Sequence, residues 1–310
     1  MLRKVAISGA TSPIGVALTK ECLKQNIEVI AIINPDSSKK SRIPVSSSVR
    51  IVECPLDGYG NFAKEIKDEQ LSADVFIHLA WASTDGDAAR NMLTPQALNI
   101  QYALDAVELA DSLGCTTFIG AGSQAEYGRT NETLKETTEC HPETGYGIAK
   151  LCAGQLTRLA CRQKGIRHIW PRILSTYGPN SNPKTIISYV ITELISNRTP
   201  SLTACEQIWD FIYVDDAARA LISLAESGHD GEIYVIGSGM SAPLSEYMTK
   251  IRDAVDINAK LGIGDKPYSD TTVMHLSCSI DKLTKDTGFV PLVAFEDGIK
   301  QTIEYIKANN

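Results

Sequence analysis

Tyr146 and Lys150 stand four residues apart in the run Gly145-Tyr146-Gly147-Ile148-Ala149-Lys150, a spacing that puts a phenol and an ammonium on one helix face. A cation beside a phenol favours the phenolate, so such a pair can turn a tyrosine with a free pKa of about 10 into an acid–base catalyst. Each pKa unit of depression corresponds to about 1.4 kcal/mol. In a chain with 11 tyrosines the spacing alone is a weak motif, and the elements around it decide its meaning.

Those elements begin at the N-terminus. Lys4-Val5-Ala6-Ile7-Ser8 reads as a short buried strand that runs into Gly9-Ala10-Thr11-Ser12-Pro13-Ile14-Gly15, followed by helical spacing over Val16 to Gln25 and a second apolar strand over Glu28 to Ile33. A strand, a glycine turn, a helix and a strand form a dinucleotide-binding unit. Glycine is needed in the turn because a side chain would hold a pyrophosphate away from the backbone amides and the positive helix end. Gly9 and Gly15 meet that need, while Ser12 stands where a middle glycine is expected and offers a hydroxyl to a phosphate.

The alternation continues along the chain. Strands are expected at Val49–Cys54, Asp74–Trp81, Cys115–Gly120 and Arg167–Trp170, and helices around Asn61–Glu69, Pro95–Leu113 and Gly147–Lys164. This predicts an α/β fold with a doubly wound parallel sheet, dinucleotide-binding over residues 1–170 with returning segments near 210–240, and a smaller, mainly substrate-binding region over 171–310. Ligands bind such sheets beyond the carboxyl ends of the strands. The segments Gly9–Gly15, Ala80–Thr84 and Gly122–Gly128 fall there.

With 310 residues and 43% hydrophobic content, the chain can bury a large core. No apolar run approaches the roughly 18 residues of a membrane span and no signal peptide is recognisable, so the expectation is a cytoplasmic protein. The 8 cysteines, at 22, 54, 115, 140, 152, 161, 205 and 278, contain no Cys-x-x-Cys pair and read as reduced core thiols, with no metal site. A formal charge of -7 argues against a nucleic-acid partner.

Taken in order, these residues resemble the extended short-chain dehydrogenase/reductases, the group containing the nucleotide-sugar epimerases, dehydratases and reductases. Besides the glycine turn and the Tyr146/Lys150 pair, the likeness rests on several further motifs. These are His78-Leu79-Ala80, Asn99, Ser123 before Tyr127-Gly128, Pro171-Arg172 with Tyr177-Gly178-Pro179, Asp210 to Asp216, Phe289-Val290-Pro291 and Phe295 to Gly298. The resemblance implies that Tyr146 exchanges a proton with a substrate oxygen, that Lys150 stabilises the phenolate and holds the nicotinamide ribose, and that Ser123 hydrogen-bonds the same oxygen. It implies a dinucleotide held by Gly9, Thr11, Ser12, Ile14, Gly15, Asn34, Ser37, Lys39, Leu79, Ala80 and Asn99 together with the catalytic pair. A nucleotide sugar would meet Trp81, Ser83, Gln124, Ser175, Trp209 and Arg219.

Departures from the family pattern narrow the reaction. Dehydratases carry Thr-Asp-Glu where this chain has Ser123-Gln124-Ala125, and neither glutamine nor alanine can supply the extra acid and base that elimination needs. A 4-keto sugar reductase is the first expectation and a 4-epimerase with tightly bound NAD the second. A non-catalytic NAD(P)-binding regulator is the alternative of another class. The second strand ends at Asn34 without a carboxylate, and Ser37, Ser38, Lys39, Lys40 and Arg42 follow, which favours NADP(H) over NAD(H). Ser175 and Trp209 replace a family asparagine and arginine that help hold the nucleotide diphosphate, leaving Arg172 and Arg219 as phosphate partners. Apolar faces on two helices (Ala97, Ile100, Leu104, Val107; Ile148, Leu151, Leu159) resemble the family's four-helix dimer interface, so a homodimer is expected.

Overall fold

The computed structural model describes residues 2–66 and 71–309. In chain order the elements are β1 (Lys4–Ser8), α1 (Pro13–Lys24), β2 (Glu28–Ile33), β3 (Val49–Glu53), α2 (Tyr59–Glu65), β4 (Val75–His78), α3 (Asp87–Arg90), α4 (Leu93–Ser112), β5 (Thr117–Gly120), β6 (Gly122–Ser123), α5 (Gly145–Lys164) and β7 (Arg167–Ile173). There follow β8 (Ser175–Tyr177), α6 (Ile186–Ile195), β9 (Ile208–Tyr213), α7 (Val214–Ser227), β10 (Glu232–Ile236), β11 (Ser241–Pro243), α8 (Leu244–Val255), β12 (His275–Leu276), α9 (Asp281–Thr287) and α10 (Phe295–Asn309).

The larger sheet runs β10-β7-β5-β4-β1-β2-β3, with β6 paired to β7 and every pairing parallel. It is the doubly wound sheet that the alternation of elements predicts. Side chains alternate across it: Val5 and Ile7 join Leu18 and Leu221 in one core layer, while Ala6 joins Phe76, Leu109 and Phe118 in the other. The strand order reverses between β1 and β4, which opens a crevice at their carboxyl ends. A smaller sheet centred on β9, flanked by β8, β11 and β12, is backed by a third core that includes Val190, Phe211, Tyr247 and Ile299.

Element limits differ from the sequence reading where local patterning is silent about pairing. The fourth strand stops at His78, because the Leu79 and Ala80 amides turn back onto the Ser8 carbonyl and hydroxyl (3.1 and 3.4 Å), which releases 79–81 into the crevice. The strand expected to stop at Trp170 runs on to Ile173, since β10 and β6 supply pairing partners for its second half. The helix expected over Asn61–Glu69 spans Tyr59–Glu65, and 67–69 lie outside the described residues.

Two glycines set the distances on which the crevice depends. Gly9 adopts φ +71° at the end of β1, and a Cβ there would lie 2.8 Å from the Ala80 nitrogen. At Gly147 a Cβ would strike the Ala125 carbonyl oxygen, so α5 can approach the turn after β6 only because that residue has no side chain. Gly147→Ala is therefore expected to cost about 1–3 kcal/mol through backbone displacement. That corresponds to a melting-temperature loss of roughly 2–10 °C, measurable by calorimetry.

Candidate functional site

A cavity of about 850 Å³ occupies the crevice and continues towards the smaller sheet. One end is the glycine turn, where Gly9, Thr11, Ser12 and Ile14 line the wall beside Asn34, Lys39, Leu79 and Ala80. Ser12 caps α1: its Oγ accepts from the Gly15 amide (3.1 Å) and keeps its own proton to donate. Pro13 at the first helical position carries no N–H, and the positive helix end favours an anion here. Gly15 lies beneath the turn, its α-carbon side packed on the Gly9 carbonyl and Ala10. The glycine turn, the cap and the cavity beyond them fit a dinucleotide.

At the other end, the Ser123, Tyr146 and Lys150 side chains converge. Ser123 closes β6, and Thr144 caps α5 by accepting from the Gly147 amide (3.1 Å), which starts the helix one turn ahead of Lys150. Lys150 is only 3% exposed. Its Nζ donates to the Ala121 carbonyl (2.7 Å) and lies 3.6 Å from the centroid of the Trp81 ring, a close cation–π contact. Burial lowers its pKa to about 7, against the pull of Glu126.

Tyr146 shows the opposite sign from the one its spacing to Lys150 implies. Burial pushes the phenol above its usual value, and the groups that pull it down are the Ser123 hydroxyl and the Arg90 guanidinium. The lysine Nζ sits 5.8 Å from the tyrosine ring centroid and spends its hydrogen bond on Ala121. A desolvated ammonium turned to a carbonyl, its proton affinity lowered by burial, gives the phenol little help.

Beneath Ser123 lies a charge pair that the motif left unread. Glu126 is fully buried; it accepts from the Ser123 amide (2.8 Å), Trp170 Nε1 (3.0 Å) and Arg172 Nε (2.7 Å). Glu126 is thereby consumed in fixing the Ser123 turn, and Arg172, expected as a phosphate partner, is its counter-ion. The Ser123 hydroxyl itself accepts from the Ala125 amide (3.2 Å) and donates to Gln124 Oε1 (3.1 Å).

Four other expected site residues do not line the cavity. Asn99 does not reach the cavity: buried in α4, it accepts from the Ala82 amide (2.9 Å) and donates to the Ala82 carbonyl (3.0 Å). Ser83 adopts φ +57° and presents its carbonyl to Gln96 Nε2 (2.8 Å). Ser37 turns its hydroxyl to the Lys39 amide (3.3 Å). Arg219 is remote, on α7, where it pairs with Asp216 and the Val290 carbonyl and covers the Phe289 ring. Ser175 and Trp209 do line the cavity, bonded to one another through Trp209 Nε1 (3.0 Å).

Sequence reasoning missed Gln96, which ties this wall together. Its Oε1 accepts from Trp81 Nε1 (2.9 Å), so the indole under Lys150 is held by α4. The available signal was its place one turn before Asn99 on the same helix face.

Comparison with known proteins gives a class and then a family. The fold is that of UDP-glucose 4-epimerase from Thermotoga maritima, which is 21% identical with 99% of each chain covered and a TM-score of 0.85. Among curated proteins, the putative UDP-glucose 4-epimerase of Methanocaldococcus jannaschii is 26% identical over 99% of both chains. The dTDP-4-dehydro-6-deoxyglucose reductase of Escherichia coli is 25% identical over 98% of this chain and 97% of its own. The model of the NAD dependent epimerase/dehydratase family matches residues 5–237, and the chain belongs to that family.

The buried ammonium gives a pH signature. With a folded pKa of about 7 against the usual 10.5, Lys150 binds its proton more weakly in the folded protein, so stability rises with pH between those values. Below pH 7 the full cost of burying the charge is paid, and above 10.5 none of it is. Lys150→Met is expected to raise the melting temperature of the ligand-free protein, most at or below pH 7 and with a gain that fades towards pH 10.5. Melting curves across that range check it.

Proposed function

We propose that this protein is a nucleotide-sugar 4-epimerase, oxidising a C4 hydroxyl and reducing the ketone from its other face with one retained dinucleotide. The observation that carries this reading is the meeting of Ser123, Tyr146 and Lys150 in a cavity continuous with the glycine turn. Positions 124 and 125 offer no acid or base, and the adjoining carboxylate, Glu126, is buried against Arg172, which speaks against elimination. End-to-end similarity to a putative epimerase favours epimerisation over the keto reduction expected first from the sequence. The similarity to a reductase keeps that as the second reading.

In this mechanism Tyr146 Oη takes the proton of the C4 hydroxyl and later returns it to the same oxygen. Ser123 releases Gln124 and donates to that oxygen, stabilising the charge that develops there. Lys150, once given a better acceptor than the Ala121 carbonyl, regains its proton affinity and favours the phenolate. Bound NAD(H) supplies the hydride acceptor and donor. The residues fitted to hold it are Gly9, Thr11, Ser12 and Ile14 at the pyrophosphate and Asn34 with Lys39 at the adenosine end.

The cationic loop gives less support to NADP(H) than its composition implies. Lys40 pairs with Glu53 (2.5 Å) and Arg42 donates to the Asn180 carbonyl (3.3 Å), which leaves Lys39 at the cavity. We therefore assign NAD(H). A homodimer through α4 and α5 is supported by the exposed Leu93, Leu98, Ile148, Leu156 and Leu159, whereas Val107 is fully buried against the sheet. Light scattering should give twice the chain mass.

The purified protein should carry NAD(H), identifiable by mass, and interconvert a UDP- or dTDP-hexose with its C4 epimer without consuming cofactor. Tyr146→Phe should lower the rate by roughly 10²- to 10⁴-fold. Stoichiometric oxidation of added NADPH during turnover would instead establish the reductase.

A further inference from the structure

We infer that Arg90 recognises a carboxylate on the sugar, so that the substrate is a nucleotide-linked hexuronate; this rests on the proposed reading of Tyr146. Arg90 ends the short helix α3 and lines both the main cavity and a side pocket of about 240 Å³ that also touches Gln124, Tyr146 and Trp209. Its Nε donates to the Thr84 carbonyl (3.3 Å), which fixes the guanidinium plane, and its Cζ lies 5.3 Å from the centroid of the Tyr146 ring. Among the described residues no carboxylate pairs with it, and neither Nη atom has a protein acceptor. Arg129 in the same side pocket is occupied by Glu143 and the Asp270 carbonyl. Glu143 is thus spoken for, and Asp87, the other acid of that pocket, is exposed.

A half-buried guanidinium whose fork has no protein acceptor at the edge of a cavity is placed to bond an anionic ligand. Lys39 stands at the dinucleotide end and Lys150 is engaged with Ala121 and Trp81, so among the described residues that line the cavity Arg90 is the cation left to face the reacting end. Covalent geometry then selects the ligand atom. Tyr146 addresses the oxygen on C4, and the exocyclic C6 hangs from the adjacent ring carbon, C5. The nucleotide diphosphate hangs from C1, across the ring. A cation over the phenol therefore meets the substituent at C6, and a planar fork with two free ends matches a carboxylate.

Equilibrium binding tests this without relying on turnover, since Arg90 also biases the phenol. UDP-glucuronate and UDP-glucose are titrated calorimetrically into the NAD-loaded wild type, Arg90→Gln and Arg90→Lys. The uronate should bind wild type at least about tenfold more tightly than the neutral sugar, the magnitude of a charge-assisted hydrogen bond. Arg90→Gln should erase that ratio, and Arg90→Lys should restore part of it. Equal affinities in wild type, or a ratio unchanged in Arg90→Gln, overturn the carboxylate assignment alone. Failure of both sugars, and of their dTDP counterparts, to bind overturns the nucleotide-sugar reading and this inference with it.

Discussion

The molecule is organised around a cation that has been taken out of water. Lys150 is almost completely enclosed, and what it receives in exchange is one carbonyl and the face of one indole. These do not match the hydration it gives up, and its depressed proton affinity records the deficit. The negative charge that acts on it, Glu126, cannot make it good because Arg172 already holds that carboxylate. The fold keeps Lys150 charged only reluctantly.

The same enclosure explains why the ligand-free pair is not a ready base. Excluding water raises the phenol and lowers the amine together, so both groups drift towards neutrality. An acceptor that enters near Lys150 restores its charge, and a restored charge favours the phenolate. In the proposed mechanism binding and activation are then one electrostatic event, with the Ser123 hydroxyl and Arg90 biasing the phenol in advance. A site that stored a phenolate permanently would pay for a buried anion in every idle molecule.

How much of this was legible in the sequence depended on how local each feature is. The β1 turn, the α1 cap and the Tyr146/Lys150 spacing are contiguous signals, and the fold confirms the elements they imply. The electrostatic sign of the pair was not legible, because four-residue spacing fixes relative Cα positions and says nothing about water. Asn99 was expected at the dinucleotide, yet it bonds Ala82, a partner 17 positions away whose approach depends on how α4 lies on the sheet. Gln96 and the Glu126–Arg172 pair escaped for the same reason: each matters through a contact set by tertiary register. Arg219 shows the converse error, a cation chosen by type whose helix faces Asp216 and the C-terminal segment.

Arg90 adds a constraint that the acid–base pair alone does not impose. If the proposed epimerisation holds, the ring offers each face to the hydride in turn while its C4 oxygen stays with Tyr146, and the substituent at C6 then occupies two positions during one cycle. A fixed guanidinium can bond a carboxylate well in only one of them, while the side pocket gives the group space in the other. Because a catalyst cannot move the overall equilibrium, tighter holding of one epimer must reappear as slower release of that epimer or weaker capture of its partner.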